Sequence, residues 1–401
     1  MCRSISVLIK LGNSSAIEQL SHLQIREPTV KQHILLFILV LCHSLSCSQS
    51  DRPLPQQLQE ALDNGLRKHD GIGVSAAAFL PDGNLWLGVS GKSHDTVAMR
   101  PDMLFAIGSI TKNFVAALTL QLVEEGKLSL DDALHTWLPR YPKVDSTITV
   151  RQLLNHTSGL YMFWQNQSIW DDLKKYRAKV FTPEEVLVYL KDPYFAPGKG
   201  HRYSNTNYLL MATIITKVTG STLSAELRKR FWKSLDLKSA FFYLEEKSPD
   251  NLAHVWGDNF DNDGSFRDIT FLPRLSHESI TYGSAGIFMT AEELARWAHA
   301  LFQKQVLKQS SLTEMLKFDG EGYYGLGIGR FKSSFTNSET AYGHGGGNIG
   351  TTAYMIHLPD FRISLAVMIN TFDDKCLRGI TEDLIEILTD HFASQKIKGG
   401  I

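Results

Sequence analysis

The stretch Phe105-Ala-Ile-Gly-Ser109-Ile-Thr-Lys112 decides how the rest of this chain is interpreted. The pattern around it predicts a loop followed by a long helix that ends near Glu125. Ser109 stands at the start of this helix, and the i, i+3 spacing places Lys112 on the same face. A helix N-terminus favours negative charge developing on a serine oxygen, and a lysine whose pKa is lowered can accept the hydroxyl proton. The same residues also fit a capped helix with a surface lysine.

A second motif, Tyr203-Ser-Asn205, follows the turn Pro197-Gly198. A tyrosine near a lysine can pass protons in the manner of a phenolate, and Asn205 can orient a substrate amide or the lysine. The alternative is a loop tyrosine followed by an N-capping residue of the next helix. Taken alone, this motif does not decide between catalysis and structure.

A third segment, Gly343-His-Gly-Gly-Gly-Asn-Ile-Gly350, contains five glycines in eight residues and leads into an apolar strand at 351–358. Glycines allow a ligand to approach the backbone closely, and the edge of a glycine-rich strand exposes N–H groups that can bind an oxyanion. The alternative is a glycine-rich turn or bulge with His344 in solvent.

Strand patterns lie towards both ends of the chain, and helical patterns lie between them. Strands are predicted at 74–79, 85–89, 325–331, 351–358 and 363–369. Thr182-Pro-Glu-Glu predicts a helix start, Gly220 ends an apolar helix at 208–218, and a last helix is predicted at 377–392. This order favours one discontinuous sheet lobe at about 55–126 and 278–395, interrupted by a mostly helical lobe at about 127–277.

The composition is that of a globular protein with a sizeable core, since 43% of the 401 residues are hydrophobic and 21% are charged. The 41 basic and 42 acidic residues give a net charge of −1, so no overall field favours nucleic acid or an anionic membrane. Of the four cysteines only Cys376 lies beyond residue 47, which excludes a disulfide scaffold, and no metal-binding spacing is present.

Residues 1–48 are predicted to be a signal peptide or an uncleaved anchor. Residues 34–41 are continuously apolar, Lys31 precedes them, and Ser44, Ser46 and Ser48 provide small residues for cleavage. The apolar run is shorter than the about 20 residues that span a bilayer. We therefore expect an exported protein, secreted or periplasmic, whose folded domain occupies 49–401; contact with a membrane is expected only if the N-terminal segment is retained.

Ser109-x-x-Lys112, Tyr203-x-Asn205 and His344-x-Gly346, in this order, resemble the motif set of the serine beta-lactamase and penicillin-binding protein superfamily. Their spacing is similar to that of class C beta-lactamases, D-Ala-D-Ala carboxypeptidases and related esterases and D-aminopeptidases. Flanking segments at 153–160, 195–198 and 283–290 are similar too, so the resemblance covers about 55–395. It implies an α/β protein of the α+β type, with a central antiparallel sheet flanked by helices, a mostly helical lobe, and a site between the lobes.

The resemblance implies a serine hydrolase that acts through an acyl-enzyme. Ser109 would be the acylated nucleophile and Lys112 would help to deprotonate it. Tyr203 would relay protons to the leaving group and activate the deacylating water. The backbone N–H groups of Ser109 and Gly347 would form the oxyanion hole. No metal or organic cofactor is implied, the expected partner is a small-molecule or peptide substrate, and the oligomeric state stays open.

Three further positions would bind substrate: Asn205, His344 and Gly346. His344 stands where many relatives have lysine, and Gly345 removes a hydroxyl that they present to a substrate carboxylate. Because a histidine is charged only part of the time near neutral pH, both changes weaken an anion-binding pocket. They favour esters, amides or D-amino-acid peptides over beta-lactams, all of which stay open as substrates. An aromatic run could line an acyl pocket or pack under a loop: Tyr161, Phe163, Trp164 and Trp170.

Two other classes of protein share part of this pattern. His344-Gly-Gly-Gly347 also resembles the oxyanion motif of lipase-type α/β-hydrolases, but the Gly-x-Ser-x-Gly elbow of that class is absent from the sequence. A descendant that only binds ligands or assembles on the same fold is the remaining alternative, because a fold does not guarantee chemistry. The three intact motifs favour the enzyme.

Overall fold

The computed structural model describes residues 52–258, 264–318, 322–332, 335 and 340–399, with side chains up to residue 395. All of the described residues from Leu54 onwards belong to one compact unit, Leu54–Ile401. The predicted targeting segment lies outside the described residues, as do Cys2, Cys42 and Cys47. In the described ranges, no helix combines the length and the apolarity needed to cross a bilayer.

In the described residues the strands form three sheets, of which the largest has seven strands. Their bounds are β1 Gly73–Phe79, β2 Leu85–His94, β3 Val97–Ala98, β4 Phe105–Ala106, β5 Phe241–Phe242, β6 Trp256–Gly257, β7 Arg267–Asp268, β8 Ile287–Met289, β9 Gly329–Phe331, β10 Ala341–Asn348, β11 Thr351–Leu358 and β12 Ile363–Ile369. The large sheet has the order β3-β2-β1-β12-β11-β10-β9, and its pairs are antiparallel. The strand patterns from both ends of the chain therefore meet where β1 pairs with β12.

The helices lie on both faces of this sheet and in the middle of the chain. Their bounds are α1 Leu54–Lys68, α2 Thr111–Glu124, α3 Leu134–Trp137, α4 Val150–Leu154, α5 Gln167–Lys175, α6 Pro183–Leu187, α7 Asn205–Thr219, α8 Leu223–Leu227, α9 Leu275–Ile280, α10 Ala291–Phe302, α11 Gln309–Met315 and α12 Asp374–Gly399. The capping box of Thr182 at α6 and the left-handed Gly220 after α7 confirm those two predicted ends.

Two apolar layers hold the large sheet between its helices. On one face, α1 packs its leucines against β1, β2 and α12, and α12 packs its leucines and isoleucines against β11 and β12. On the other face, α10 packs against β1 and β12, and the buried side of α2 joins the same core. Both faces of β1 and β12 are buried, which explains why these strands are apolar runs rather than alternating patterns.

Several predicted bounds change in the structure. The strands at 351–358 and 363–369 are confirmed, whereas 325–331 was predicted too long, since only Gly329–Phe331 is a strand. Gly327 has φ +67 and the N–H of Gly325 donates to Ile328 O, so a turn precedes that strand. The glycine-rich segment is itself strand β10, and its turn is confined to 349–350. Short strands β5, β6 and β7 interrupt the region predicted as mostly helical; its boundaries stay predictions.

Candidate active site

Ser109 lies in a one-turn 3-10 helix, Gly108–Ile110, that continues directly into α2. Gly108 has φ +53, and a Cβ there would lie 2.4 Å from the carbonyl oxygen of Gly347. Only glycine combines this conformation with such a close approach to a second backbone. Lys112 occupies the first turn of α2, and its Nζ lies 3.0 Å from the Oγ of Ser109. The structure thus brings the first two predicted site residues together.

Lys112 is a fully buried lysine without an acidic partner. Its Nζ donates to the backbone oxygen of Ser284 at 2.8 Å and lies 4.9 Å from the ring centre of Tyr203. Among the described residues, no carboxylate oxygen lies within 4.0 Å of this nitrogen. Burial therefore lowers the pKa of Lys112 well below its ordinary value of 10.5. A buried amine of this kind is suited to accept the proton of Ser109.

Tyr203 lies two residues before α7, and Asn205 is the first residue of that helix. The hydroxyl of Tyr203 is buried and, within the part of the chain that is described, makes no hydrogen bond of good geometry. Burial raises the pKa of Tyr203, and the nearby hydroxyl of Ser109 offsets only part of that rise. The resting side chain is therefore a phenol, which differs from the predicted phenolate-like form because no cation compensates the burial. The Oδ1 of Asn205 is buried and also lacks a described partner.

His156 fixes the loop that carries Tyr203. Its ring centre lies 4.2 Å from that of Tyr203. Its Nδ1 accepts hydrogen bonds from the backbone N–H of Ser204 at 3.2 Å and from the amide of Asn207 at 3.0 Å. Burial lowers the pKa of His156 well below its ordinary range, and Lys112 adds to the effect. A neutral imidazole with its proton on Nε2 satisfies both contacts, so His156 acts as a positioning residue.

Strand β10 passes directly beside Ser109. A Cβ added to Gly346 would lie 2.0 Å from Ile107 O and 3.1 Å from Ser109 N. Gly347 N would lie 2.6 Å from a Cβ on Gly108. Strand β9 pairs only with residues 341–343 of β10, so β9 does not cover the edge at 344–348. The backbone nitrogens predicted to form the oxyanion hole therefore border the same space next to the Ser109 hydroxyl.

His344 lies on the same strand, but both of its ring nitrogens are bound within the protein. Its Nδ1 lies 2.5 Å from Gly345 O, which can only accept, and its Nε2 lies 2.8 Å from the hydroxyl of Tyr324. Burial, reinforced by Lys112, lowers the pKa of His344 to about 3. The imidazole is therefore neutral, with its proton on Nδ1, and Tyr324 donates to Nε2. His344 was expected to donate to a substrate carboxylate, but its N–H group already donates to Gly345 O.

Two side chains at the site were not found by the sequence motifs. Tyr324 donates to His344 from a Tyr-Tyr pair that precedes β9 and matches no motif. Phe372 follows β12 and is 71% exposed, yet its ring lies 2.6 Å from where a Cβ on Gly347 would stand. Of the predicted aromatic run, Tyr161 and Phe163 belong to the core, whereas Trp164 and Trp170 are partly exposed, with their tilted rings 4.5 Å apart. Only packing reveals which of these residues border the site.

The arrangement of an antiparallel sheet, flanking helices and a serine–lysine pair is that of the beta-lactamase fold. A D-amino acid amidase from Ochrobactrum anthropi SV3 superimposes with a TM-score of 0.73 at 27% identity, covering 85% of this chain and 99% of the amidase. A D-stereospecific amidohydrolase from Streptomyces sp. gives 0.69 at 28% identity, covering 80% and 96%.

Sequence comparison gives the family. The Beta-lactamase family profile matches residues 58–386, so the chain belongs to this family and to the serine beta-lactamase and penicillin-binding protein superfamily. The protein is 27% identical over 69% of its length to penicillin-binding protein 4* of Bacillus subtilis, and 28% identical over 68% of its length to a D-aminopeptidase of Brucella anthropi. These matches span 62% and 51% of the two relatives.

Proposed function

We propose that the protein is a serine hydrolase that cleaves amide or ester bonds of D-aminoacyl substrates through an acyl-enzyme on Ser109. The observation that supports this most strongly is the contact between Ser109 Oγ and the buried Nζ of Lys112 at 3.0 Å, with no carboxylate within ion-pair distance among the described residues. A lysine held in this way is neutral often enough to act as a base near physiological pH. A solvent-exposed lysine at the same spacing would stay protonated near physiological pH and could not accept the proton.

In the acylation step, Lys112 Nζ takes the proton of Ser109 while Oγ bonds to the substrate carbonyl carbon. The carbonyl oxygen becomes an oxyanion beside the N–H groups of Ser109 and Gly347. The C–N or C–O bond then breaks, and the leaving group takes a proton from the phenol of Tyr203, which Lys112 replaces. In deacylation, water attacks the ester while its proton passes to Lys112, either directly or through the phenol of Tyr203, which gives its own proton to Lys112 as it accepts that of water. The ester C–O bond then breaks, and Lys112 returns the proton to the Oγ of Ser109.

The environment of His344 supports acyl substrates without a carboxylate over beta-lactams. A beta-lactam presents a carboxylate near the third motif, and a neutral His344 followed by Gly345 offers it neither a charge nor a hydroxyl. D-aminoacyl amides and esters lack that carboxylate. The amidase, amidohydrolase and D-aminopeptidase relatives favour the same class.

The test is hydrolysis of D-phenylalanine amide and D-phenylalanine methyl ester by the purified protein, with mass spectrometry of the trapped acyl-enzyme. We expect turnover and a single acyl adduct in the wild type, and neither in Ser109→Ala. Ser234→Ala is the matched control, because its hydroxyl donates only to helix carbonyls of Arg230 and Phe231. A folded wild type without an adduct on amides, esters or beta-lactams would favour the ligand-binding alternative.

A further inference from the structure

Phe372 lies in the short link between β12 and α12, and the backbone on both sides of it is held by one side chain. The hydroxyl of Thr352 donates to Thr371 O at 2.9 Å and accepts from the N–H of Asp373 at 3.1 Å. The Oδ1 of Asp373 in turn accepts from the N–H of Cys376, in the first turn of α12, at 3.0 Å. The position of Phe372 is therefore set by the fold, although its own side chain is 71% exposed.

The ring of Phe372 lies against the backbone of the predicted oxyanion hole. Thr352 pairs with Gly347 across β10 and β11, and Cε2 of Phe372 lies 2.6 Å from where a Cβ on Gly347 would stand. Because a Cβ lies about 2.5 Å from the nitrogen of its own residue, the edge of the ring is within about 5 Å of Gly347 N. Gly347 is itself exposed. An apolar surface open to solvent therefore adjoins the nitrogen that would bind the substrate carbonyl oxygen.

The position of Tyr203 indicates which half of the substrate meets this ring. In the proposed mechanism the leaving group takes a proton from Tyr203, whose ring centre lies 6.3 Å from that of His344. His344 and Gly347 are three residues apart in β10, a distance of about 10 Å along a strand. The leaving group thus extends towards His344, and the acyl group extends the other way, past Gly347 and along Phe372.

We infer that Phe372 provides the apolar surface on which the acyl side chain of the substrate binds, so that the protein prefers D-aminoacyl groups with a large apolar side chain. The inference rests on the proposed function. A phenyl or branched aliphatic group covers the exposed ring and removes both apolar surfaces from water. Gly347 has no side chain that would separate the two. The methyl group of a D-alanyl substrate is too short to cover the ring, and it gains less from the contact.

The test compares D-phenylalanine methyl ester with D-alanine methyl ester, which differ only in the phenyl group. We expect Phe372→Ala to lower kcat/KM for the phenylalanine ester by about 5- to 30-fold, the range for losing one aromatic contact in an apolar subsite. The alanine ester should change less than about twofold. Phe372→Leu keeps an apolar side chain and should restore most of the preference. The inference is overturned if both esters lose activity equally, since the ring would then only support Gly347, or if neither loses activity.

The matched control is Leu87→Ala, which also removes an exposed apolar side chain from the large sheet. Leu87 lies on β2, and three strands, β1, β12 and β11, separate β2 from β10. The ratio of the two esters should therefore stay unchanged. Because the ring of Phe372 is exposed, Phe372→Ala should melt close to the wild type.

Hydrolysis of either ester by the wild type, and its loss in Ser109→Ala, tests the proposed function separately. Its absence in the folded wild type refutes that function and the inference with it. Its presence with an unchanged ratio in Phe372→Ala refutes only the role of Phe372.

Discussion

Two basic side chains, the fully buried Lys112 in the site and the partly buried Arg230 after α8, lie in opposite electrostatic surroundings. Arg230 is 8% exposed and is held by Glu226 at 2.7 Å and by Glu125. Those hydrogen bonds raise the pKa of Arg230, whereas burial without a carboxylate lowers that of Lys112. Carboxylates thus accompany the side chain that keeps its charge, whereas Lys112, which is the more deeply buried of the two, has none within 4.0 Å among the described residues. Acidic partners and depth together decide whether a shielded base stabilises the fold or serves chemistry.

Removing the amine at Lys112 gives the largest expected effect. In Lys112→Met, kcat should fall by about 10²- to 10⁴-fold, the range for losing a general base. The melting temperature should rise, because an ordinary lysine must give up its proton to be buried at neutral pH, and methionine avoids that cost. Steady-state kinetics and thermal unfolding measure the two changes.

Lys217→Met is the control for that variant, since Lys217 is exposed on α7. It should change neither quantity appreciably. If Lys112→Met kept full turnover, or if it were destabilised, the contrast with Arg230 would be lost.

For Arg230→Met we expect lower stability and unchanged turnover, the reverse of the result for Lys112→Met. Glu226, whose side chain is 7% exposed, would be left buried without its cation, so the free energy of unfolding should fall by about 3 to 5 kcal/mol. Turnover per folded molecule should be unchanged. Urea unfolding gives the first quantity and active-site titration the second. Arg296→Met serves for comparison, because its pair with Glu292 is solvent-exposed and should contribute less than about 1 kcal/mol.

The pH profile of kcat/KM reports the protonation state of Lys112 in the wild type. Lys112 must be neutral to accept a proton, so activity should be lost on acidification, by about tenfold per pH unit below its pKa in the folded protein. Since that pKa is lowered, we expect the loss to begin well below the pH at which an ordinary lysine becomes protonated. A profile that rises only above about pH 10, near the pKa of a free lysine, would contradict a buried neutral base.

Acid should affect stability through the Arg230 network instead. The hydrogen bond from Arg230 lowers the pKa of Glu125 to about 2. A lowered carboxyl pKa contributes stability above the unfolded value, and that contribution is lost as the pH falls towards about 2. Between pH 6 and about pH 2, the free energy of unfolding should therefore fall less steeply with pH in Arg230→Met than in the wild type.

The smallest expected effect is that of Tyr324→Phe. The change leaves the buried Nε2 of His344 without a donor, which should cost about 1 kcal/mol and lower kcat by up to about tenfold. Tyr323→Phe is the control, because the neighbouring side chain is 46% exposed. Equal kinetics in the two variants would show that His344 needs no fixed tautomer.

Local sequence was sufficient where the signal is local. The strands at 351–358 and 363–369 were predicted to the residue because they are apolar runs bounded by turns. The end of α7 at Gly220 was predicted because a left-handed C-cap favours glycine. The strand at 325–331 was predicted too long because its apolar pattern does not reveal the turn that Gly327 allows.

The residues of the candidate site also fall into those that the sequence motifs indicated and those that they did not. Motif order pointed to Ser109, Lys112, Tyr203 and the β10 glycines, and the structure places them side by side. It did not point to Tyr324, which acts only through His344. Tyr324 has no neighbour in sequence that reports its role, since its partner on β10 is 20 positions away.

The sequence by itself determined the residue types, their order, and the glycines that let two backbones meet at Gly108 and Gly347. These are local properties, because they depend on side-chain chemistry and on backbone conformations available to each residue. Only the tertiary structure decided which groups are charged. The neutral Lys112 and the neutral His344 depend on burial and on partners distant in the chain, and these exist only after the sheet and the helices have packed around them.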